Sequence, residues 1–255
     1  MVKIIMHGRN GHMGQVISEL VREDEECQIV AGIDLTDNRE NGYPVFESLA
    51  DCDMEADVII DFASAKAIDS LLAGAIEKNT PIVLCTTGLS EEQIELVEKS
   101  SEYIPILRSA NMSLGVNTLF KLVKEAAKIL GNAGFDIEIV EKHHNKKVDA
   151  PSGTALALAD AINEAMEERY DYVFDRSHVR KQRDKNELGI SAVRGGSIVG
   201  EHEIIFAGVD EVIEFKHTAY SKAVFAKGAI SAAKFLAGKE KGMYDMHDVI
   251  GEGSF

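Results

Sequence analysis

A glycine-rich turn directly after the first apolar segment limits the fold of this chain more than any other feature. Residues Val2–Met6 form a short apolar run, and the next eight residues read H-G-R-N-G-H-M-G before an amphipathic helical pattern begins. Glycines at positions 8, 11 and 14 respectively permit a tight turn, the approach of a pyrophosphate, and close packing of helix on strand. The sequence therefore predicts a strand, a phosphate-binding turn and a helix, as in dinucleotide-binding folds.

An acidic residue at the end of the second apolar run supports this interpretation. Asp34 follows Gly14 by twenty residues, where a carboxylate can accept hydrogen bonds from both hydroxyls of an adenosine ribose. Its charge would repel a 2′-phosphate, and Leu35 and Thr36 supply no cation to offset it. We therefore predict a preference for NADH over NADPH, or use of both if Arg39 reaches the phosphate. The alternative is an ordinary strand–helix turn with a surface aspartate.

The first hundred residues alternate short apolar runs with amphipathic stretches. This alternation predicts an α/β fold with a doubly wound parallel sheet, a Rossmann domain, in which ligands bind at the carboxyl ends of the strands. The predicted strands are Val2–Met6, Gln28–Ile33, Val58–Phe62, Ile82–Cys85 and Ile104–Leu107. The helix predicted over Ser221–Leu236 and the tail after it are too short for a domain of their own. We therefore assign residues 1–113 and 223–255 to a dinucleotide-binding domain.

The pattern changes after Asn111 and predicts a second, α+β domain over residues 114–222. Its predicted elements are a helix ending near Gly131, a strand over Phe135–Glu141, a helix after Pro151 and two or three strands between Ile190 and His217. We interpret Arg194–Gly196 and Gly208–Glu211 as hairpin turns, which favours an antiparallel or mixed sheet. The charged segment Tyr170–Asn186 is expected to be an irregular loop.

The charge balance excludes two classes of partner. The 255 residues include 27 Lys plus Arg and 43 Asp plus Glu, which gives a formal net charge of −16. Because nucleic acids and anionic membranes are bound largely through clustered cations, we expect neither as a partner. Three cysteines without a CxxC pair, and a start without a signal-peptide pattern, favour a cytoplasmic location.

The strongest chemical signal is a basic cluster at residues 141–147, E-K-H-H-N-K-K, followed by S-G-T at a helix start. Two histidines and three lysines, close to helix N–H groups, predict a local site for an anion such as a dicarboxylate. Histidine titrates near neutrality, and a lysine among other cations is expected to have a lowered pKa, so both are candidate proton donors. A solvated basic loop is the alternative. No metal site is expected, because no third ligand has suitable spacing and the lysines repel a cation.

Two further loops follow predicted strands in the first half, C-T-T-G at 85–88 and S-A-N-M at 109–112. Their small and polar residues can line a nicotinamide site. Ordinary turn chemistry explains the same residues equally well, so both interpretations stay open.

Taken together, these motifs resemble those of the 4-hydroxy-tetrahydrodipicolinate reductases, also called dihydrodipicolinate reductases. The similar segments are H-G-R-N-G-H-M-G, C-T-T-G, S-A-N-M-S-L-G-V-N, E-K-H-H-N-K-K-V-D-A-P-S-G-T-A and G-S-I-V-G-E-H-E. The resemblance covers essentially the whole chain, and H-H-x-x-K-x-D-x-P-S-G-T is highly specific to that family. It implies an N-terminal Rossmann domain completed by the C-terminal tail, and a middle domain whose mixed sheet builds a homotetramer.

The resemblance also implies a reaction. NADH or NADPH would transfer a hydride to C4 of a cyclic imine dicarboxylate with loss of the 4-hydroxyl as water. The product would be tetrahydrodipicolinate, an intermediate of lysine and diaminopimelate biosynthesis.

Residue roles follow from the same resemblance, position by position. His143 is implied as the acid/base residue and Lys147 as the proton donor. Implied contacts of the substrate carboxylates are His144, Gly153, Thr154 and Lys222. Implied contacts of the cofactor are Gly8, Arg9, Asn10, Gly11, His12, Met13, Asp34, Cys85, Thr86, Thr87, Ser109, Ala110, Asn111 and Met112.

The chain departs from the family pattern at four of its positions. Leu35 stands where some members have arginine after the ribose-binding acid, which favours NADH. Cys85 replaces a frequent glycine and Met112 a frequent aromatic residue, so the packing around the nicotinamide is expected to differ. Lys222 replaces an arginine and cannot form the same bidentate contact with a carboxylate.

Two other functions fit parts of the sequence. Another two-domain nicotinamide enzyme of aspartate-family metabolism, such as an aspartate or homoserine dehydrogenase, would share the first half only and would not need the H-H-x-x-K segment. A noncatalytic NADH-sensing protein would use the basic cluster to recognise an acidic partner. Loss of turnover on replacement of His143 or Lys147 would distinguish an enzyme from such a sensor.

Overall fold

Parallel strands and helices alternate through the first half of the chain, as the sequence predicts. They are seen in a computed structural model that describes residues 1–37, 39–109 and 111–252. In chain order the elements are β1 (Val2–His7), α1 (His12–Arg22), β2 (Cys27–Ile33), β3 (Val45–Phe46), β4 (Val58–Asp61), α2 (Ile68–Glu77), β5 (Ile82–Leu84), α3 (Glu91–Ser100) and β6 (Pro105–Arg108). The two-residue strand β3 has too short an apolar run to be recognised from the sequence.

The middle of the chain forms a separate five-stranded sheet. Its elements are α4 (Leu114–Ala126), β7 (Asp136–His143), α5 (Gly153–Ala165), β8 (Asp171–Val173), β9 (Glu187–Arg194), β10 (Gly200–Ala207) and β11 (Val212–Ala219), with a π-helical turn at Ala127–Gly131 after α4. The strand order is β11-β10-β7-β9-β8. Because β10 is antiparallel to β7 and β11 whereas β7, β8 and β9 are parallel, the sheet is mixed, which confirms the predicted class.

The last part of the chain adds to the first sheet. It contains α6 (Ala223–Leu236), β12 (Gly242–Tyr244) and α7 (Met246–Glu252), and β12 pairs in parallel with β6. The chain thus divides into a first unit, Met1–Leu114 with the chain from Ala223 onward, and a second unit, Gly115–Lys222. Across the described ranges, no helix has the length and apolar character that a membrane span requires.

The seven-stranded sheet of the first unit has the order β12-β6-β5-β4-β1-β2-β3. Successive residues of β1 serve opposite faces: Ile4 and Met6 pack with α1 and α6, whereas Ile5 packs with α2 and α3. From β1 the chain adds β2 and β3 on one side and then β4, β5 and β6 on the other, so β1 and β4 flank the topological switch point. Open α/β sheets bind ligands outside the carboxyl ends of such strands.

One face of the second sheet changes from apolar to polar along its strands. On β7 the buried positions alternate as Ile137, Ile139, Glu141 and His143. The first two belong to the core formed with α4 and α5, whereas the last two place ionisable groups on the same buried face. The two-residue period of a strand explains why all four share one face.

Three details of the second unit differ from the sequence predictions. Strand β7 continues through His143 instead of ending at Glu141, because its pairing with β9 extends from Ile137 to His143. The Arg194–Gly196 segment is not a hairpin turn, since β7 lies between β9 and β10. The Tyr170–Asn186 segment contains the short edge strand β8 and is therefore not wholly irregular. The Gly208–Glu211 turn does join an antiparallel pair, β10 and β11, as predicted.

Arg183 anchors that charged segment to the sheet. Its Nη1 donates to Asp136 Oδ1 at 2.9 Å, its Nε to Glu138 Oε1 at 2.8 Å, and its Nη2 to the Ile137 carbonyl at 2.9 Å. These hydrogen bonds join the charged segment to two carboxylates and a carbonyl of β7. No local sequence pattern predicts them, because the partners are far apart in the sequence.

His202 on β10 gives the second unit a pH-dependent stability. Burial, and to a smaller extent the neighbouring His143, lower the pKa of His202 from 6.5 to about 4. The unfolded chain therefore binds more protons than the folded one between about pH 6.5 and 4, and stability falls as the pH drops through that window. We expect the wild type to lose about 2–3 kcal/mol more than His202→Gln between pH 7.5 and 4.5.

The measurement is urea unfolding followed by circular dichroism at the two pH values. His178→Gln is the matched control, since the His178 side chain is 92% exposed and should not change the pH dependence. Equal pH dependence in the wild type and His202→Gln would contradict the prediction.

Candidate functional site

The glycine turn after β1 leaves backbone N–H groups of α1 open to a ligand. Gly8 has φ +80°, and a Cβ on it would lie 2.6 Å from the Phe62 carbonyl oxygen. A Cβ on Gly14 would lie 2.5 Å from the Gly8 carbonyl oxygen, so only glycine permits this approach of helix and turn. Gly11 is the N-cap of α1 and provides no side-chain cap. The N-terminus of α1 can therefore bind a pyrophosphate.

Asp34 is fixed beside this turn by backbone donors. Its Oδ2 accepts the Asn10 N–H at 2.8 Å and its Oδ1 accepts the Leu35 N–H at 2.9 Å. The Asn10 side chain donates to the Thr36 carbonyl at 2.6 Å, which ties the turn to the loop after β2. The carboxylate is thus held in one orientation, as recognition of ribose hydroxyls requires.

A cavity of about 680 Å³ lies in the first unit next to Asp34. The lining residues lie at or after the ends of β1, β2, β3 and β4, or at the start of α2. Among them are His7, Gly8, Gly11, Asp34, Leu35, Ser64 and Lys66. Its volume is in the range of small-molecule and cofactor sites. Lys66 and Ser64 were not predicted as site residues; their position just after the predicted third strand was the available signal.

Arg9 points into the protein and not toward this cavity. Its side chain is fully buried, its Nη2 donates to Asn41 Oδ1, and its guanidinium lies 5.9 Å from the centre of the Tyr43 ring. Only its backbone can therefore contact a phosphate in this conformation. The neighbouring His12 is exposed at the first position of α1, and Met13 is half-buried against the core.

A histidine–aspartate pair occupies the switch point. His7 Nδ1 lies 2.6 Å from Asp61 Oδ1, where the last residues of β1 and β4 are paired in register. Both residues are buried. Neither residue was predicted as a site residue, because no local sequence pattern joins positions 54 residues apart.

The two small-residue loops follow β5 and β6, at the same carboxyl edge of the sheet. Burial, together with the charge of Asp61, raises the pKa of the Cys85 thiol, so it is neutral at pH 7. Thr86 is half-buried, its Oγ1 has no partner within the described part of the chain, and Thr87 is exposed. Ala110 lies outside the described residues.

The rest of the second loop packs tightly. Ser109 is half-buried, and Asn111 Oδ1 accepts the Ser113 N–H at 2.8 Å. Met112 is buried, and a Cβ on Gly228 of α6 would lie only 1.6 Å from its carbonyl oxygen. This approach fixes the loop backbone against α6.

In the second unit, His143 is the last residue of β7 and is buried. Its Nδ1 lies 2.7 Å from Glu141 Oε2, and its ring meets the His202 ring edge-on at 5.2 Å between centroids. A Cβ at Gly200 would lie 3.1 Å from His143 Nε2, so the glycine leaves room beside that nitrogen. His143 is therefore oriented by the sheet and is not part of a solvated loop.

Ser152 connects this histidine environment to the start of α5. Its Oγ accepts the Ala155 N–H at 3.1 Å as an N-cap and lies 2.9 Å from His202 Nε2. Its own N–H donates to Glu141 Oε1 at 2.9 Å. The helix begins at Gly153, which is exposed, and Thr154 is half-buried in the first turn. This helix start can bind an anionic group.

The remaining predicted residues of this unit lie on its surface or partly buried. Lys147 Nζ forms an ion pair with Asp149 Oδ1 at 2.9 Å, so an acidic group as well as cations surrounds this lysine. His144 is half-buried with a buried Nδ1 that has no partner among described residues, and Lys222 is exposed. Within the described ranges, no group of three or more His, Cys, Asp or Glu side chains is arranged to hold a metal ion.

Comparisons with known proteins agree across both units. The family model described as "Dihydrodipicolinate reductase, N-terminus" matches residues 2–112, and "Dihydrodipicolinate reductase, C-terminus" matches residues 115–250. A 4-hydroxy-tetrahydrodipicolinate reductase of Caldanaerobacter subterraneus subsp. tengcongensis is 53% identical over 99% of this chain and 100% of its own length. One of Clostridium novyi is 50% identical over 98% of both chains.

A solved structure shares the whole fold. The dipicolinate-bound dihydrodipicolinate reductase of Paenisporosarcina sp. TG-14 superposes with a TM-score of 0.81 at 23% identity, over 98% of this chain and 99% of its own. The predicted resemblance is therefore confirmed, and an aspartate or homoserine dehydrogenase is not supported. With both family models matched in order and relatives at half identity over their full length, this chain belongs to the dihydrodipicolinate reductase family.

Proposed function

We propose that this chain is a 4-hydroxy-tetrahydrodipicolinate reductase that uses a nicotinamide cofactor. The observation that carries the proposal is His143, a buried histidine held by a buried carboxylate close to the open start of a helix. A cyclic dicarboxylate needs this combination, since the helix start can bind a carboxylate while the histidine exchanges a proton. The family membership and the names of the relatives support the same reaction.

The first unit supplies the cofactor site. The glycine turn would hold the pyrophosphate, Asp34 the adenosine ribose, and the loops after β5 and β6 the nicotinamide. When bound, the reduced nicotinamide supplies the hydride. The cradle fits such a group, because a Cβ at Gly8 or Gly14 would collide with backbone that forms it.

The second unit supplies binding and protons. Each turnover consumes one hydride and one proton, and the 4-hydroxyl of the substrate leaves as water. His143 and Lys147 are the proposed sources of the proton. The N–H groups of Gly153 and Thr154, with His144 and Lys222, are the proposed contacts of the two substrate carboxylates.

We also propose that the protein assembles as a homotetramer through the second sheet. The face of that sheet opposite the core carries Val193, which is 44% exposed, and Val212, which is 57% exposed. Ion pairs join Lys142 and Lys216 to Glu201 on the same face. Light scattering after size exclusion would measure the assembly directly.

His143→Gln and Lys147→Ala should lower kcat by about 10²- to 10⁴-fold, because each removes a proposed proton donor. The glutamine keeps an N–H that can donate to Glu141. The assay is oxidation of NADH and of NADPH with freshly made product of the synthase that condenses pyruvate with aspartate semialdehyde. NADH affinity should stay unchanged, because its proposed contacts lie in the first unit.

Lys146→Ala is the matched control, since it removes an exposed cation from the same turn and should retain activity. If the wild type binds NADH but oxidises neither cofactor, the result would contradict the enzyme and favour an NADH-sensing protein. Full activity in His143→Gln would contradict the proposed role of His143 in the reaction.

A preference for NADH is the second proposed property. The Asp34 carboxylate beside the glycine turn would repel a 2′-phosphate, and the buried Arg9 guanidinium would not offset that charge. Asp34→Asn should weaken NADH binding about tenfold, which corresponds to about 1.4 kcal/mol, and should weaken NADPH binding less. The measurement is fluorescence titration with both cofactors.

Glu98→Gln removes an exposed charge from α3 of the same unit and should leave the ratio of the two affinities unchanged. A wild-type dissociation constant for NADPH about tenfold below that for NADH would contradict the preference.

A further inference from the structure

Glu141 is a fully buried carboxylate that accepts hydrogen bonds from four donors. Arg194 binds it in a bidentate manner, with Nη1 2.7 Å from Oε2 and Nη2 2.7 Å from Oε1. His143 Nδ1 lies 2.7 Å from Oε2, and the Ser152 N–H donates to Oε1 at 2.9 Å. Each carboxylate oxygen thus binds Arg194 and one group of the proposed substrate site, Oε2 the His143 ring and Oε1 the Ser152 N–H.

These contacts determine the charge of Glu141. Burial alone would raise the pKa of Glu141, but the hydrogen bonds from Arg194, His143 and the Ser152 N–H outweigh it and hold the pKa below its ordinary value. Glu141 is therefore ionised at neutral pH. An ionised carboxylate can only accept hydrogen bonds, so the proton between the two residues lies on His143 Nδ1.

Fold stability does not explain a charge at this position. The preceding residues on the same face of β7 are Ile137 and Ile139, and another apolar residue would continue that core. A buried ion pair is often no more stabilising than well-packed apolar residues, because both ions lose their hydration. The charge therefore points to a function of the site.

We propose that Glu141, with Arg194 as its counter-ion, is the positioning residue of the substrate site. It holds His143 in the Nδ1–H form, so that Nε2 is the nitrogen that exchanges a proton with the substrate. Through the Ser152 N–H it also fixes the start of α5 relative to that nitrogen. Arg194 is occupied by this task and does not bind the substrate. The inference rests on the proposed role of His143.

Glu141→Gln tests the proposal, because it keeps the shape of the side chain but removes its charge and gives it an amide N–H. We expect kcat to fall at least about a hundredfold, since a catalytic histidine that loses its carboxylate partner adopts the wrong tautomer. NADH affinity should remain within about twofold of the wild type. In ¹⁵N-histidine NMR spectra, the Nδ1–H signature of His143 should weaken.

Glu138→Gln is the matched control. Glu138 lies on the same strand, faces the other side of the sheet and binds Arg183, so its replacement also removes one arm of a carboxylate–arginine pair. It should leave kcat and the His143 tautomer unchanged. Thermal unfolding of both variants measures any loss of stability separately.

Glu141→Asp provides a second variant if the glutamine variant folds poorly. It keeps the charge on a shorter side chain, and we expect it to retain the Nδ1–H form and to recover part of the lost kcat. Wild-type kcat or an unchanged His143 tautomer in Glu141→Gln would overturn the proposal. So would equal losses in Glu141→Gln and Glu138→Gln.

The failure of the proposed function has a different signature. A wild type that oxidises no cofactor would contradict the reaction, whereas a fully active His143→Gln variant would contradict the catalytic role of His143. In both cases the tautomer measurement would still test whether Glu141 holds His143 in the Nδ1–H form. An active wild type with an indifferent Glu141→Gln variant would contradict the positioning role alone.

Discussion

The first unit depends on the close backbone approach between β1 and α1. Gly8 and Gly14 allow the helix to start against the turn, at distances where any Cβ would overlap backbone atoms. The order in which the chain adds strands reverses between β1 and β4, so this approach also places the open end of α1 at the switch point of the sheet. The position of the cavity, of Asp34 and of the His7–Asp61 pair all follow from that arrangement.

The second unit uses one face of a sheet for two purposes. The isoleucines of β7 pack against helices, and two positions further along the same face carry Glu141 and His143. A strand is a rigid support, so the histidine is held more precisely than it would be in a loop. The polar end of this core is where burial and charge act together: Glu141 is kept ionised by its donors, and His202 is kept neutral by its burial.

In this chain of net charge −16, two cations of the proposed substrate site are already paired with carboxylates. Arg194 is neutralised by Glu141 and Lys147 is paired with Asp149, so neither is an unshielded cation. The helix start at Gly153 adds backbone donors that carry no net charge. Binding of a dicarboxylate would therefore depend on local dipoles and a few side chains more than on the overall field.

Local patterns in the sequence determined much of this protein. The glycine spacing predicted the turn, the pattern at Phe135–Glu141 predicted a strand, and Ser152 marked a helix start, because each signal involves residues within a few positions of each other. The family motif pointed to His143 and Lys147 without the structure. Only the tertiary structure decided that Arg194 binds Glu141 across 53 positions and that Asp61 meets His7 across 54. Strand order sets those pairings, and because β7 lies between β9 and β10, the glycine pair after Arg194 is a crossover and not a hairpin. The buried direction of Arg9 was equally out of reach, since it depends on Asn41 and Tyr43 in a loop that folds back onto the turn.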